Sequence, residues 1–417
     1  MKTGSSPSAR LRGSTADTHP IAGAAAADGS AVRLLTELLD AAARRGASDL
    51  HLEPDGDGWR VRFRVDGVLS EVARPAPALR ELLITRIKVL ARLDIAERRL
   101  PQDGRLTIIG ANGDSQDYRV NTLPTTAGEK IVLRRLQTLP LNLTLADLGF
   151  DETQRHVLEG AIHAPHGMIL VTGPTGSGKT VSLYSFLQQL DRRSFNICTV
   201  EDPAEIRLAG INQVGIQEKA GLTFAQTLRA FLRQDPDVIM VGEIRDAETA
   251  SVAIKAAQTG HLVFSTLHTN DAPATLARLL DIGVEPFNIA AAVRLITAQR
   301  LLRKLCPACC EPLTISAATW RAAGGTEAMQ SDGFYPKRAV GCAACHGTGF
   351  RGRAGIHQVM PISEAMRQII VARGSASELA RQALSEGIAS LRSAALMAVA
   401  RGEASLEEAV CATDRVH

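Results

Sequence analysis

A glycine-rich segment fits the phosphate-binding pattern GxxxxGK[ST]. It consists of Gly173, Pro174, Thr175, Gly176, Ser177, Gly178, Lys179 and Thr180, and Val181 follows it. Glycines let successive backbone N–H groups turn toward phosphate oxygens, and Lys179 adds positive charge for the β and γ phosphates. Thr180 is placed to ligate Mg²⁺. Because the apolar strand Met168–Thr172 precedes the loop and a helical segment follows it, the sequence predicts a nucleotide site.

Acidic residues follow two further predicted strands. Glu243 ends the apolar segment that begins at Asp237, and Glu201 and Glu205 follow the strand Ile197–Val200. The carboxyl ends of parallel strands open onto one crevice, so we expect these acids near the phosphate loop. Glu243 is predicted to hold Mg²⁺ or its water, and Glu205 to orient the attacking water. The alternative for each acid is a solvated loop residue or a helix cap.

Two histidines bracket the next predicted strand, Leu262–Thr266. We expect His261 and His268 at the same edge, where they would sense the γ-phosphate or contact a neighbouring subunit. The alternative is a hydrogen-bonded structural histidine at either position.

The chain has seven cysteines, and four of them form two CxxC pairs: Cys306 with Cys309, and Cys342 with Cys345. This spacing lets each pair bind one side of a tetrahedral Zn²⁺ as thiolates. The adjacent Cys310 and His346 remain alternative ligands, and a redox pair is the alternative chemistry. We expect a closed structural zinc site.

Composition sets further bounds. A net charge of +3 and an aromatic content of 4% do not favour a nucleic-acid motor, which needs a basic surface with stacking platforms. No apolar run approaches the ~20 residues that cross a bilayer, so we expect a cytoplasmic protein. The patterning predicts five segments: a disordered leader (1–30), an α+β domain (31–140), a doubly wound α/β P-loop domain (141–305), a zinc-binding insertion (306–350) and a helical carboxyl-terminal segment (351–417).

Four motifs in order now indicate a family. The phosphate loop is followed by TVEDPAE, DPDVIMVGEIRD and TGHLVFSTLHTND, and it is preceded by SDLHLEP, VRFRVDGVL and ARLDIAERRLPQDGR. These segments resemble the Walker A, Asp box, Walker B and His box, and the preceding domain, of type II secretion and type IV pilus assembly ATPases. The resemblance implies an α/β fold with a RecA-type P-loop ATPase core and a preceding α+β PAS-like domain that closes over the nucleotide. It also implies a tetracysteine zinc insertion and a helical tail. From the 30 residues before Ala31, we expect no counterpart of the family's further amino-terminal docking domain.

The resemblance also assigns roles. Glu243 matches the Walker B glutamate, Glu205 the Asp-box glutamate that positions water, and His261 and His268 the His-box residues. Family arginines that approach the nucleotide match Arg119, Arg134, Arg229 and Arg233. Their guanidinium groups would neutralise charge that develops in the transition state. The alternative for each arginine is an ordinary surface ion pair.

The resemblance implies a cytoplasmic homo-hexamer that uses ATP, Mg²⁺ and Zn²⁺. It would act at the inner face of the inner membrane through a platform protein, with peripheral membrane association through partners and no nucleic acid. We expect ATP hydrolysis that powers assembly of a type II secretion pseudopilus and protein export. Alternatives are a type IV pilus or DNA-uptake pilus extension ATPase, a nucleic-acid motor and a non-hydrolysing scaffold. The tetracysteine element favours assembly over retraction.

Overall fold

The computed structural model describes residues 27–56, 58–109, 115–136, 143–330 and 333–414, and the chain divides into two units, residues 1–136 and 137–417. The boundary predicted after residue 140 lies outside the described residues. Most of the predicted leader also lies outside them. Its last residues are helical, however, because the first helix begins at Ala27 and not at Ala31. Apolar spacing does not fix the first residue of a helix, because that residue is set by backbone hydrogen bonding and capping.

The amino-terminal unit combines helices with one antiparallel sheet. Its elements are α1 (Ala27–Arg44), β1 (Asp49–Asp55), β2 (Gly58–Val65), β3 (Val68–Ala73), α2 (Arg80–Leu90), β4 (Gln102–Ile109), β5 (Ser115–Thr125) and β6 (Gly128–Arg135). The strand order is β3-β2-β1-β6-β5-β4. Alternating residues such as Leu50, Phe63 and Leu133 are buried with residues of both helices in one core. The other face carries polar side chains.

The second unit has a largely parallel sheet of seven strands. Its first elements are α3 (Glu152–Ile162), β7 (Gly167–Thr172), α4 (Lys179–Gln188), β8 (Ile197–Glu201), β9 (Asn212–Gly215), α5 (Phe224–Phe231), β10 (Val238–Val241), α6 (Ala247–Gln258), β11 (Leu262–Leu267), α7 (Ala272–Asp281) and α8 (Pro286–Ala292). The remaining ones are β12 (Val293–Leu305), β13 (Glu311–Pro312), α9 (Ala317–Ala322), β14 (Lys337–Arg338), β15 (Phe350–Pro361), α10 (Glu364–Val371), α11 (Ala376–Ser385), α12 (Leu391–Ala400) and α13 (Leu406–Thr413).

The strand order of this sheet is β15-β12-β7-β11-β10-β8-β9, and only β15 runs antiparallel to its neighbour. Successive residues of β7 point to opposite sides. Met168 and Leu170 enter a core formed with α5 to α8 and α10 to α13, whereas Ile169 and Val171 enter a core formed with α3 and α4. The sheet is therefore covered on both faces, as buried apolar strands require.

The segment after residue 350 differs from the helical one predicted. It begins with β15, which pairs with β12 from Leu295 to Leu305, and four helices follow. Neither strand shows simple alternation in the sequence, because β12 is almost completely buried on both sides along its first half. Among the described residues, no helix is both long enough and apolar enough to span a bilayer.

Candidate functional site

The glycine-rich segment forms the turn between β7 and α4. Gly173 has a φ of 151°, and a Cβ there would lie 2.5 Å from the carbonyl oxygen of Gln299. Gly178 has a φ of 90°, and its Cβ would lie 2.8 Å from the Gln299 amide nitrogen. A side chain at either position would push the turn away from β12. Glycine therefore allows the turn to lie directly against that strand.

Gln299 holds this turn from the neighbouring strand. Its Nε2 donates to the Ser177 carbonyl over 2.7 Å, and its Oε1 accepts from the Ser182 hydroxyl over 2.7 Å. Its side chain is buried, so both bonds are shielded from water. This residue is not among those predicted from the sequence. A polar residue inside the apolar segment that precedes Leu301 was the available signal.

Lys179 begins α4 and is folded against the turn. Its Nζ donates to the carbonyl oxygens of Gly173 and Pro174 over 2.8 and 3.1 Å. Burial lowers the pKa of Lys179 to about 8, and the negative charge of Glu243 opposes this shift. The ammonium group therefore stays charged at pH 7. It is placed to exchange carbonyl oxygens for phosphate oxygens.

Glu243 lies two residues after β10, level with the end of β7 in the strand register. Arg245 donates to its Oε1, and His268 Nε2 lies 3.5 Å from its Oε2. Burial alone would raise the pKa of Glu243, but Arg245, His268 and Lys179 outweigh burial and hold it below its usual value. The site thus presents an ionised carboxylate beside the phosphate loop. With the Thr180 hydroxyl, it offers oxygen ligands of the kind that Mg²⁺ prefers.

Glu201 and Glu205 occupy different environments. Glu201 is 3% exposed and accepts hydrogen bonds from Tyr184, Thr199 and Gln213. These partners give Glu201 a structural role, in which it fixes Tyr184 of α4 against β8. Glu205 is exposed and follows the carboxyl end of β8, and its backbone hydrogen-bonds the Tyr184 hydroxyl. Burial and the Glu201 charge raise the pKa of that hydroxyl.

The two histidines lie at opposite edges of the sheet. His268 follows β11 at the edge of the phosphate loop, whereas His261 precedes β11 and is level with the start of β7. The six residues between them span roughly 20 Å. His261 Nδ1 contacts the Ala256 carbonyl oxygen at the end of α6 over 3.0 Å. The expectation that His261 shares the γ-phosphate edge within one chain is therefore wrong, because a strand separates its two ends.

The predicted arginines lie on exposed surfaces. Arg229 pairs with Glu248 over 2.7 Å, and the Arg233 guanidinium donates to the Arg229 carbonyl over 2.8 Å. In the amino-terminal unit, Arg119 on β5 lies directly opposite Arg134 on β6. Arg134 pairs with Asp49 over 2.8 Å, and Arg119 approaches Asp103 at 3.5 Å.

The two CxxC pairs converge on one point. Sγ–Sγ distances are 4.0 Å for Cys306–Cys342 and 3.8 Å for both Cys309–Cys345 and Cys342–Cys345. A regular tetrahedron with 3.8 Å edges has corners about 2.3 Å from its centre, which is the usual Zn–S distance. Among the described residues, this group comprises those four cysteines and includes neither Cys310 nor His346.

Backbone groups surround these sulfurs. The N–H of Gly341 donates to Cys309 Sγ, and those of Cys342 and Gly349 donate to Cys345 Sγ, over 3.2 to 3.3 Å. Burial would raise the pKa of Cys345, but these two N–H groups and its thiol neighbours lower it to about 6. Such bonds stabilise thiolates, so the donor set fits a zinc ion.

Comparison with known proteins agrees with the motifs. The family model described as "Type II/IV secretion system protein" matches residues 24–411. The chain is 48% identical over 386 residues to the type IV pilus assembly ATPase PilB of Myxococcus xanthus, covering 93% of this chain and 68% of that protein. It is 47% identical over 386 residues to the type II secretion system protein E of Pseudomonas aeruginosa, covering 93% and 76%.

Solved structures resemble this fold over most of the chain. The pilus retraction motor PilT with bound ADP has a TM-score of 0.62 and 27% identity, covering 92% of this chain and 97% of that one. The ATPase DotB of Legionella pneumophila has a TM-score of 0.64 and 22% identity, covering 90% and 94%. The second likeness shows the fold alone.

Proposed function

The chain belongs to the type II/IV secretion system protein family, and from this membership we propose that it hydrolyses ATP to power pseudopilus assembly and protein export by a type II secretion machine. The observation that carries this proposal is the proximity of Lys179 and Glu243 at the carboxyl edge of one parallel sheet, next to the glycine turn. In this proposal the second unit is a RecA-type ATPase core and the first is a PAS-like domain.

The glycine turn binds the triphosphate, and Lys179 neutralises the β and γ phosphates. Thr180 and Glu243 hold Mg²⁺, which supplies positive charge to the phosphate oxygens when bound. Glu205 orients the attacking water from the exposed segment after β8. His268 contacts Glu243 and senses whether the γ-phosphate is present. His261 fits the alternative role from the sequence, a contact with a neighbouring subunit.

Guanidinium groups complete the charge balance in this proposal. By the resemblance, Arg119 and Arg134 approach the nucleotide when the amino-terminal unit closes over it. Arg229 and Arg233 belong to the same family set. Each adds positive charge where negative charge develops on the transferred phosphoryl group. The active form is a homo-hexamer in the cytoplasm, bound at the inner membrane through a platform protein.

The cysteine cluster holds a structural Zn²⁺ in this proposal. Four thiolates leave no open coordination position, so the ion supports the segment between β12 and β15 and takes no part in hydrolysis. Removing it would loosen the pairing of β12 with the edge strand β15, where this segment joins the two strands.

An ATPase assay on the purified chain tests the proposal. We expect Lys179→Ala and Glu243→Ala to abolish turnover, and Lys255→Ala, an exposed lysine on α6, to keep it. Equal rates in the unsubstituted protein and in all three variants would reject the assignment of the nucleotide site. DNA-stimulated turnover would instead support a nucleic-acid motor, and nucleotide binding without turnover a scaffold.

A type IV pilus or DNA-uptake pilus extension ATPase is the second candidate. The observation in its favour is that relatives with the two kinds of name are almost equally identical to the chain, at 48% and 47%. Deleting the gene separates them. Loss of exoprotein release supports the secretion machine, and loss of twitching or of DNA uptake supports the pilus.

A further inference from the structure

Arg300 follows Gln299 on β12 and lies across the end of the phosphate-loop strand. Its Nη2 donates to the carbonyl and side-chain oxygens of Asn270 over 3.0 and 3.1 Å, and its Nη1 donates to the Gln299 carbonyl over 3.2 Å. Asn270 follows β11, and β7 lies between β11 and β12. The guanidinium therefore bridges the carboxyl end of β7, where Gly173 begins the turn.

The charge of Arg300 is not balanced by a carboxylate. Among the described residues, no acid lies within ion-pair distance of its guanidinium, and all its hydrogen-bond acceptors are neutral oxygens. Burial lowers the pKa of Arg300, and only the more distant charge of Asp271 opposes this. The positive charge of Arg300 in turn lowers the pKa of Lys179. Two cations thus lie close together, and both are partly removed from water.

Such an arrangement is unfavourable until an anion arrives. A cation withdrawn from water loses solvation that a neutral carbonyl replaces only in part, and two neighbouring cations repel each other. A phosphate group would offset both costs. Guanidinium also offers several N–H donors in one plane, so it can keep Asn270 while it donates to a phosphate oxygen.

We infer that Arg300 binds a phosphate of the nucleotide held by its own chain, with Asn270 and the Gln299 carbonyl fixing the guanidinium over the end of β7. This inference rests on the proposed function, because it needs a nucleotide in the turn. It differs from the family arginines named above in that Arg300 acts from the same sheet as the phosphate loop. Asn270 lies two residues after His268, so these bonds also connect Arg300 to the segment that contacts Glu243.

Calorimetric titration of the full chain tests this inference. The ligands are the magnesium complexes of ADP and of a non-hydrolysable ATP analogue. We expect Arg300→Gln to raise the Kd of the analogue about tenfold, which corresponds to about 1.4 kcal/mol. Arg300→Lys, which keeps the charge, should stay within about threefold of the unchanged protein. Arg353→Gln is the matched control, because Arg353 is exposed on the adjacent strand β15 opposite Arg303.

The outcomes separate this inference from the proposed function. If the unchanged protein binds neither ligand, the proposed function fails. If it binds both and Lys179→Ala does not, yet Arg300→Gln binds normally, only the role of Arg300 is rejected. If Arg300→Gln lowers the melting temperature, partial unfolding is a second explanation for its weak binding. The binding of Arg300→Lys then decides between the two explanations. A Lys variant that melts normally but binds as poorly as the Gln variant overturns the inference.

Discussion

His268 Nε2 lies 3.5 Å from Glu243 Oε2, across the carboxyl ends of adjacent parallel strands. Burial and the charge of Lys179 lower the pKa of His268 from its usual value of 6.5, and the charge of Glu243 opposes this. The imidazole is therefore neutral at pH 7. At that pH, the Glu243 carboxylate forms no ion pair with His268 and is able to bind a metal ion or accept a hydrogen bond from water.

This contact predicts an acidic limb in the pH profile of ATP hydrolysis. As the pH falls below 6.5, His268 takes up a proton and its imidazolium competes for Glu243. We expect the rate to decline through this range. His268→Gln, which cannot be charged, should flatten the limb, and His261→Gln at the other edge of the sheet should keep it. A limb that survives in His268→Gln would assign it to another group.

Gln299→Ala should weaken nucleotide binding, although the Gln299 side chain acts only through the turn and does not contact the nucleotide. The change leaves the Ser177 carbonyl and the Ser182 hydroxyl unpaired in a buried place, which costs about 1–3 kcal/mol. We expect the KM for ATP to rise about tenfold, since the turn loses its support from β12. Steady-state kinetics with a thermal melt would show both effects.

The control for Gln299→Ala is Gln358→Ala. Gln358 is also a buried glutamine, on the adjacent strand β15, and its Oε1 accepts from the Ala272 N–H over 3.0 Å. This variant should lose stability and keep the KM. An equal rise in KM in both variants would mean that general loosening of the sheet, and not the support of the turn, explains the effect.

Zinc removal should destabilise the second unit. If the concentration of free zinc exceeds the Kd of the four-cysteine site about a thousandfold, loss of the bound ion lowers the free energy of unfolding by about 4 kcal/mol. We expect one zinc per chain by metal analysis, and none after Cys342→Ser. Cys310→Ser should keep the metal, because its thiol lies outside the four-cysteine group. Zinc loss from the Cys310 variant would show that the ligand set differs.

Because of the buried His357, we expect the protein to lose stability in acid. It stacks on Phe150 with ring centroids 3.6 Å apart, and its Nε2 contacts the Leu148 carbonyl oxygen. Burial lowers the pKa of His357 to about 4, against opposing effects of Leu148 and Asp151. Unfolding restores the usual value of 6.5, so the unfolded chain binds the proton more tightly. Stability is full above pH 6.5 and declines by about 3 kcal/mol as the pH falls to 4.

Denaturant unfolding at several pH values would measure this decline. His357→Gln should reduce the slope between pH 6.5 and 4, and the exposed His163→Gln should leave it unchanged. An unchanged slope in the His357 variant would contradict the prediction.

Strand boundaries show how far the sequence pattern reaches. The predicted strands Met168–Thr172, Ile197–Val200 and Leu262–Thr266 each begin and end within one residue of β7, β8 and β11. These strands are short, apolar and bounded by turns, so their pattern is local. The sequence did not predict β12, whose Leu, Arg and Ala residues also suit a helix. Its neighbours β7 and β15 supply the pairing that decides its structure.

The sequence alone determined the chemical groups: the glycine turn with Lys179, the carboxylate of Glu243 and the four thiols. Their types and spacing carry that information, because backbone freedom, charge and ligand preference are properties of residues. Only the tertiary structure decided which groups meet. Strand order brings Gln299 and Arg300 to the turn, and strand direction carries His261 to the far edge, since pairing between distant segments leaves no mark in local spacing.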